Sequence, residues 1–153
     1  MRQPAKLDNA GESPSPVLQD LLRIGLQAMT TITSICVLML LLQIKHLIVD
    51  WCWQPEYEWK NKGTYGHLGG LRHAAKNAAG TALCFIPFTT ASMAVAVLII
   101  DFLIHYHVDW AKMNINKAKG WGPLTHEQFW MLTGADQFMH QVTYLALILL
   151  AVS

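Results

Sequence analysis

Apolar residues in this chain come in long blocks, and each block closes or opens on a histidine or an aspartate. Ile24 to Leu42 contains no charged residue. At about 1.5 Å per residue, that run covers roughly the 30 Å hydrocarbon core of a bilayer. The helix it predicts continues through Lys45, His46 and Asp50 until Pro55 stops it. Residues 55–72 mix glycines, lysines and glutamates and read as an interfacial loop. A second helix opens near His73. It is rich in small residues (Ala74, Ala75, Ala78, Ala79, Gly80, Ala82) of the kind that let transmembrane helices approach closely. Pro87 ends or bends it.

A third helix is expected from about Thr89 to Lys112 and a fourth from about Ala135 to Val152. T-H-E-Q at Thr125 to Gln128 matches a capping box, which predicts a short surface helix before the last span. The expected architecture is all-α: a flexible polar tail over 1–15, then a four-span membrane domain over 16–153. Its spans lie at about 24–50, 73–86, 89–112 and 135–152. The first apolar run is too long for a signal peptide and lacks a small-residue cleavage site, so it reads as a retained span.

The blocks also repeat. H-L-I-V-D-W (His46 to Trp51) closes the first span and H-Y-H-V-D-W (His105 to Trp110) closes the third, each followed by a lysine-bearing segment ending in K-G. The second span opens with His73 and Asn77, the fourth with Asp136 and His140. The chain therefore reads as two similar helical hairpins forming one four-helix bundle.

Composition agrees with a membrane protein. Residues are 53% hydrophobic and only 14% charged, where a soluble domain would carry about a quarter charged. A net charge of +1 gives no basic face for nucleic acid. Cys36, Cys52 and Cys84 are widely spaced and read as small packed hydrophobes. Of the lysines and arginines, Arg2, Lys6 and Arg23 lie on the tail side of the spans. Lys45, Lys60, Lys62, Arg72, Lys76, Lys112, Lys117 and Lys119 lie on the other. The positive-inside rule puts the long loops in the cytoplasm and the termini outside. All six tryptophans fall on the lysine side, where an aromatic belt belongs.

Residues four apart share a helix face. His46 with Asp50, His73 with Asn77, Asp101 with His105 and Asp109, and Asp136 with His140 should then converge in one leaflet of an antiparallel bundle. A charge at mid-membrane costs about 2.5–3.5 kcal/mol on insertion scales, so such groups need partners. Three resolutions stand open: a divalent cation, a structural His–Asp network, or a wet cavity. Inward-facing histidines and carboxylates at one-turn spacing are how bundle cores build metal sites. The candidate ligands are His46, Asp50, His73, His105, Asp109, Asp136 and His140, enough for two metals. The nitrogen and oxygen donors suit zinc, manganese, iron or magnesium.

H-L-I-V-D-W followed by Gln54, a lysine-bearing loop, His73, H-x-x-x-D-W-x-K from His105 to Lys112, and D-Q-x-x-H from Asp136 to His140 together resemble domain of unknown function family 3307. These are uncharacterised bacterial and phage membrane proteins. The resemblance covers about residues 40 to 150. It implies a membrane location, no established activity, and a polar signature of His46, Asp50, Gln54, His73, His105, Asp109, Lys112, Asp136, Gln137 and His140. The family tends to show a second histidine in the second span, where this chain has Lys76 and Asn77.

Three functions fit these residues. One is a metal-dependent membrane hydrolase, with Asp101 or Asp109 as base and Arg72, Lys76 and Lys112 holding an anionic group such as a lipid or lipid-linked phosphate. A second is a membrane scaffold or partner-binding protein whose polar core fixes helix register. The third is an ion or proton pathway. The partners expected are the bilayer and an anionic small molecule, with no nucleic acid.

Overall fold

A computed structural model of the protein describes residues 15–152. Residues 1–14 of the polar tail, with Arg2 and Lys6 of the charge count, lie outside the described residues. The regular elements among the described residues are all helical, with no strand among them. In order they form α1 (Pro16–His46), a π-helical turn (Leu47–Cys52), α2 (Glu56–Asn61), α3 (Leu68–Phe85), a 3-10 turn (Ile86–Phe88), α4 (Ala91–Lys119) and α5 (Glu127–Val152).

The contacts divide the chain into two units at Thr33 and Ser34. In the first, Ser15 Oγ accepts the Leu18 N–H at 3.3 Å and starts the helix. Thr30, Thr31 and Thr33 turn their hydroxyls back onto carbonyls four residues earlier, so no polar group of theirs faces outward unmet. Leu21, Leu22, Ile24, Leu26 and Met29 are exposed.

In the second unit, α3 packs chiefly against α4 and α2, and α4 also packs against α5. Thr90 caps α4 by accepting from the Met93 N–H at 3.3 Å. Gly120 ends it in the left-handed conformation, φ 67°, with Trp121 N donating to Asn116 O. The second K-G of the sequence is thus a helix stop. At one end of this unit Leu38, Leu42, Phe85, Val97, Tyr144, Leu147 and Ile148 form an apolar cluster. Toward the other end the buried residues are polar: His46, Asp50, Glu58, Lys62, His73, His105, Asp109, Asp136 and His140. Leu40, Ile99, Leu103, Leu145 and Leu149 meanwhile face outward. Polar inside and apolar outside is the reverse of a water-soluble fold and suits a lipid surround.

Three helices are long and apolar enough to cross a membrane: α1 with its π extension, α4 and α5. The expected span over 73–86 is α3, which begins earlier, at Leu68. It is not among the three, because Arg72, His73, Lys76 and Asn77 interrupt its apolar run. The expected short helix at Thr125 is not separate either. α5 runs unbroken from Glu127 through the last span, and Thr125 Oγ1 bonds Gly122 O and His126 Nδ1. The two H-x-x-V-D-W-type copies differ in backbone. The second lies in regular α-helix within α4, while the first widens into the π turn, where Trp53 N reaches back five residues to Ile48 O at 2.7 Å.

A candidate metal centre

Four side chains from three elements meet. Asp50 comes from the π turn, His73 from α3, and His105 and Asp109 from α4. One donor atom of each lies within 4.8 Å of the others, and all four residues are buried. His73 Nε2 is 2.8 Å from Asp50 Oδ1, 3.1 Å from Asp109 Oδ2 and 3.1 Å from His105 Nε2. His105 Nε2 is 3.6 Å from Asp50 Oδ1 and 3.5 Å from Asp109 Oδ2. A tetrahedral cation with bonds of about 2.0–2.1 Å sets its donors about 3.3–3.4 Å apart. The five measured edges bracket that value.

Hydrogen bonds alone leave this cluster poorly satisfied. Asp50 Oδ1 and Asp109 Oδ2 receive no hydrogen bond of acceptable geometry, although His73 Nε2 is close to both. A single Nε2–H points at only one acceptor, whereas a cation serves all four atoms at once.

The other nitrogen of His73 is held. With its amide oxygen turned inward, Gln54 accepts from His73 Nδ1 at 3.2 Å and from Lys62 Nζ at 3.1 Å, and its amide nitrogen donates to Asp50 O. Glu58 Oε2 lies 3.6 Å from the same Nδ1. A proton fixed on Nδ1 leaves the Nε2 lone pair facing the cluster, the arrangement of metal-ligating histidines. Asn77 Nδ2 also approaches that Nε2, at 3.3 Å.

Asp109 belongs to a second group, with Asp136 and His140 of α5. Its Oδ1 lies 3.9 Å from His140 Nε2, which is 3.5 Å from Asp136 Oδ1. Two ammonium groups press on these carboxylates: Lys62 Nζ donates to Asp109 Oδ1 at 3.0 Å and Lys112 Nζ to Asp136 Oδ2 at 2.7 Å. Burial alone would lower the Lys62 pKa. The charges of Asp109 and Asp50 and the hydrogen bond to Asp109 outweigh it and hold the pKa above the ordinary lysine value.

His46 stands beside the cluster and outside both groups. Its Nε2 donates to Gln137 Oε1 at 2.6 Å, so its Nδ1 accepts from the Tyr144 hydroxyl at 3.0 Å, and Lys45 Nζ donates to that hydroxyl at 2.9 Å. With both ring nitrogens engaged, His46 orients Gln137. That amide donates in turn to Asp136 Oδ2 at 3.0 Å and Asp50 Oδ2 at 3.5 Å. Asp101 is also separate. It accepts from Thr81 Oγ1 at 2.7 Å and belongs to neither donor group. Arg72 and Lys76 gather on Glu58: Lys76 Nζ is 2.6 Å from Oε2 and Arg72 Nε 4.0 Å from Oε1. Lys76 also donates to Trp53 O.

Two buried neighbours of the cluster, Lys62 and Glu58, do not stand out in the sequence, because both come from the loop region that docks on the helices. Gly69 lets α2 approach α3 so closely that a Cβ there would lie 2.6 Å from Tyr57 O. Gly66, with φ 75°, donates its N–H to the Tyr106 hydroxyl at 2.6 Å, and Asn114 Nδ2 donates to Gly63 O. Those contacts fix the segment that carries Lys62.

A cavity of about 360 Å³ borders the centre at Asp50 and is lined also by Lys62, Lys112, Gln137 and aromatic residues from the chain's tryptophan-rich end. No curated protein and no solved structure matches this chain. Residues 37–153 match the family described as Protein of unknown function (DUF3307), a span holding every residue of both donor groups. The chain belongs to that family.

Proposed function

We propose that the protein is a membrane-embedded metal enzyme that hydrolyses a lipid or lipid-linked phosphate. The observation that carries this reading is the set of four donor atoms at 2.8–3.6 Å from His73, His105, Asp50 and Asp109. Two imidazoles and two carboxylates at tetrahedral spacing suit zinc best, with manganese, iron and magnesium as alternatives. A cation bound there would polarise a phosphoryl oxygen and acidify a water molecule. Asp109 Oδ1, His140 and Asp136 would take the proton of that water, and Lys62 and Lys112 would hold the phosphate oxygens. Of the two aspartates considered as base, Asp109 is the better supported, since it shares both donor groups and Asp101 belongs to neither.

α3 is read as a fourth membrane-embedded helix, its Ala74, Ala78 and Ala82 buried. The lysine and tryptophan end of the helices is read as cytoplasmic.

Elemental analysis of the purified full chain, beside a variant carrying His105→Ala and Asp136→Ala, tests the reading. The expected result is one metal per chain in the parent and none in the variant, with release of phosphate-bearing headgroup from lipid extract by the parent only. Absence of metal from both proteins overturns it. The buried histidines, carboxylates and lysines would then be a scaffold's structural network.

A further inference from the structure

The cavity above the four-atom cage contains groups that the cage does not use. Lys62 and Lys112 line it. Lys62 donates to Asp109 and Gln54 and Lys112 to Asp136, and a lysine has three protons to give, so each keeps at least one. Asn116, on α4 one turn beyond Lys112, lines it too. Asn116 is buried, and neither its amide oxygen nor its amide nitrogen has a hydrogen-bond partner among the described residues. Buried amides are nearly always satisfied, so a doubly empty one at a cavity wall points to a ligand. The remaining walls are largely apolar, with Trp59, Trp130 and Phe129 among them.

Charge narrows the ligand. Taking His140 as the neutral proton acceptor of the proposed reaction and the cage histidines as ligands, Lys62, Lys112 and one divalent cation bring four positive charges against the three carboxylates of Asp50, Asp109 and Asp136. One positive charge is left over, in a setting where uncompensated charge is strongly disfavoured. A singly charged anion closes the balance; a dianion overshoots it.

We infer that this cavity binds the phosphodiester group of a lipid. Lys62, Lys112 and the Asn116 amide hold the phosphate beside the cage, and the lipid's apolar part lies along the tryptophans. The charge count rests on the metal reading above, whereas the Asn116 and lysine subsite stands on its own geometry.

Tryptophan emission of the zinc-loaded full chain in a maltoside detergent reports binding, because tryptophans line the cavity. The probes are dihexanoyl phosphatidylglycerol (a diester with chains), dihexanoyl phosphatidic acid (a monoester with chains) and glycerophosphoglycerol (a diester without chains). The expected result is a saturable change with the first and affinities about tenfold weaker with the other two. Asn116→Leu and Lys112→Met should each weaken the first probe about tenfold or more, with zinc content unchanged. Asn116→Leu should also melt no lower than the parent, because it removes two unmet polar atoms.

Equal affinity of parent and Asn116→Leu overturns the proposal, as does tighter binding of the monoester. Equal binding of the chain-free diester assigns the subsite to a free phosphodiester and overturns the lipid. Diester binding that depends on Asn116 and Lys112 in a protein without zinc leaves the subsite standing and removes the metal reading. Stoichiometric zinc with binding indifferent to both residues does the reverse.

Discussion

The Nε2 atoms of His73 and His105 face one another at 3.1 Å, each also within 3.6 Å of the same two carboxylate oxygens. Two imidazole nitrogens at that distance share either a proton or a cation. The proton satisfies one pair of atoms, while the cation satisfies four. Asp50 Oδ1 and Asp109 Oδ2, otherwise without hydrogen bonds, make the cation the more economical account.

Gln54 should tune metal affinity without touching metal. Its amide oxygen holds His73 Nδ1 and Lys62 Nζ. Gln54→Leu is expected to weaken zinc binding about 10–100-fold, the usual effect of losing such a partner. Full stoichiometry should return at saturating zinc. Competition against a calibrated chelator measures it; affinity equal to the parent's would show that Gln54 does not orient the ligand.

The close approach of α2 to α3 depends on Gly69. A Cβ there would sit 2.6 Å from the Tyr57 carbonyl and 2.9 Å from Asn61 Cβ, and neither belongs to the free end of a flexible side chain. Gly69→Ala should destabilise by about 1–3 kcal/mol and speed proteolysis between residues 55 and 67. Gly25→Ala, where a Cβ meets nothing within 4 Å, is the control and should be neutral or slightly stabilising. Equal melting of the two variants would contradict the packing described here.

How much of this was readable from residue order divides along physical lines. One-turn spacing was enough to bring Asp50, His73, His105, Asp109, Asp136 and His140 toward one region, because helix periodicity and antiparallel pairing are local rules. Those rules do not reach the partners of each group. His46 falls on the right face, yet Tyr144 and Gln137 from α5 take both its nitrogens. The π turn at Leu47–Cys52 has no periodic signature, and it sets where Asp50 lies. Lys62 and Glu58 look like ordinary loop charges, and only the docking of α2 through Gly69 makes them buried. α3 illustrates the limit of hydropathy, since its charged positions are met by Glu58 and Trp53 O.

The raised pKa of Lys62 predicts an alkaline limb in stability. The ammonium is favoured in the folded protein over the unfolded chain, whose lysine titrates near 10.5. Its contribution is therefore complete below about pH 10.5 and is lost as pH rises through the folded value. Between pH 9 and 12 the parent's melting temperature should fall more steeply than that of Lys62→Met, which lacks the group. Parallel curves would mean that the Lys62 ammonium gains nothing from Asp109 and Asp50.

The Glu58 cluster should respond asymmetrically. Lys76→Ala strips the closest cation from a carboxylate that is 0% exposed. It should cost about 2–3 kcal/mol, less than a fully enclosed pair because Arg72 remains at 4.0 Å and Lys76 reaches solvent. Glu58→Gln frees Lys76 to turn toward water and should cost about 1 kcal/mol. Chemical denaturation of both variants tests the order, and a larger loss for Glu58→Gln would reverse the assignment.

The four cage atoms come from positions 50, 73, 105 and 109, which has a consequence for how the chain is made. While a ribosome has delivered only the first two, Asp50 and His73 are bare polar groups with no chelating partner. The cage closes once α4 has emerged, and Asp136 and His140 arrive later still, on the last helix. On the metal reading, acquisition of the ion would be tied to the emergence of α4, and a nascent chain stalled before it would offer no complete site.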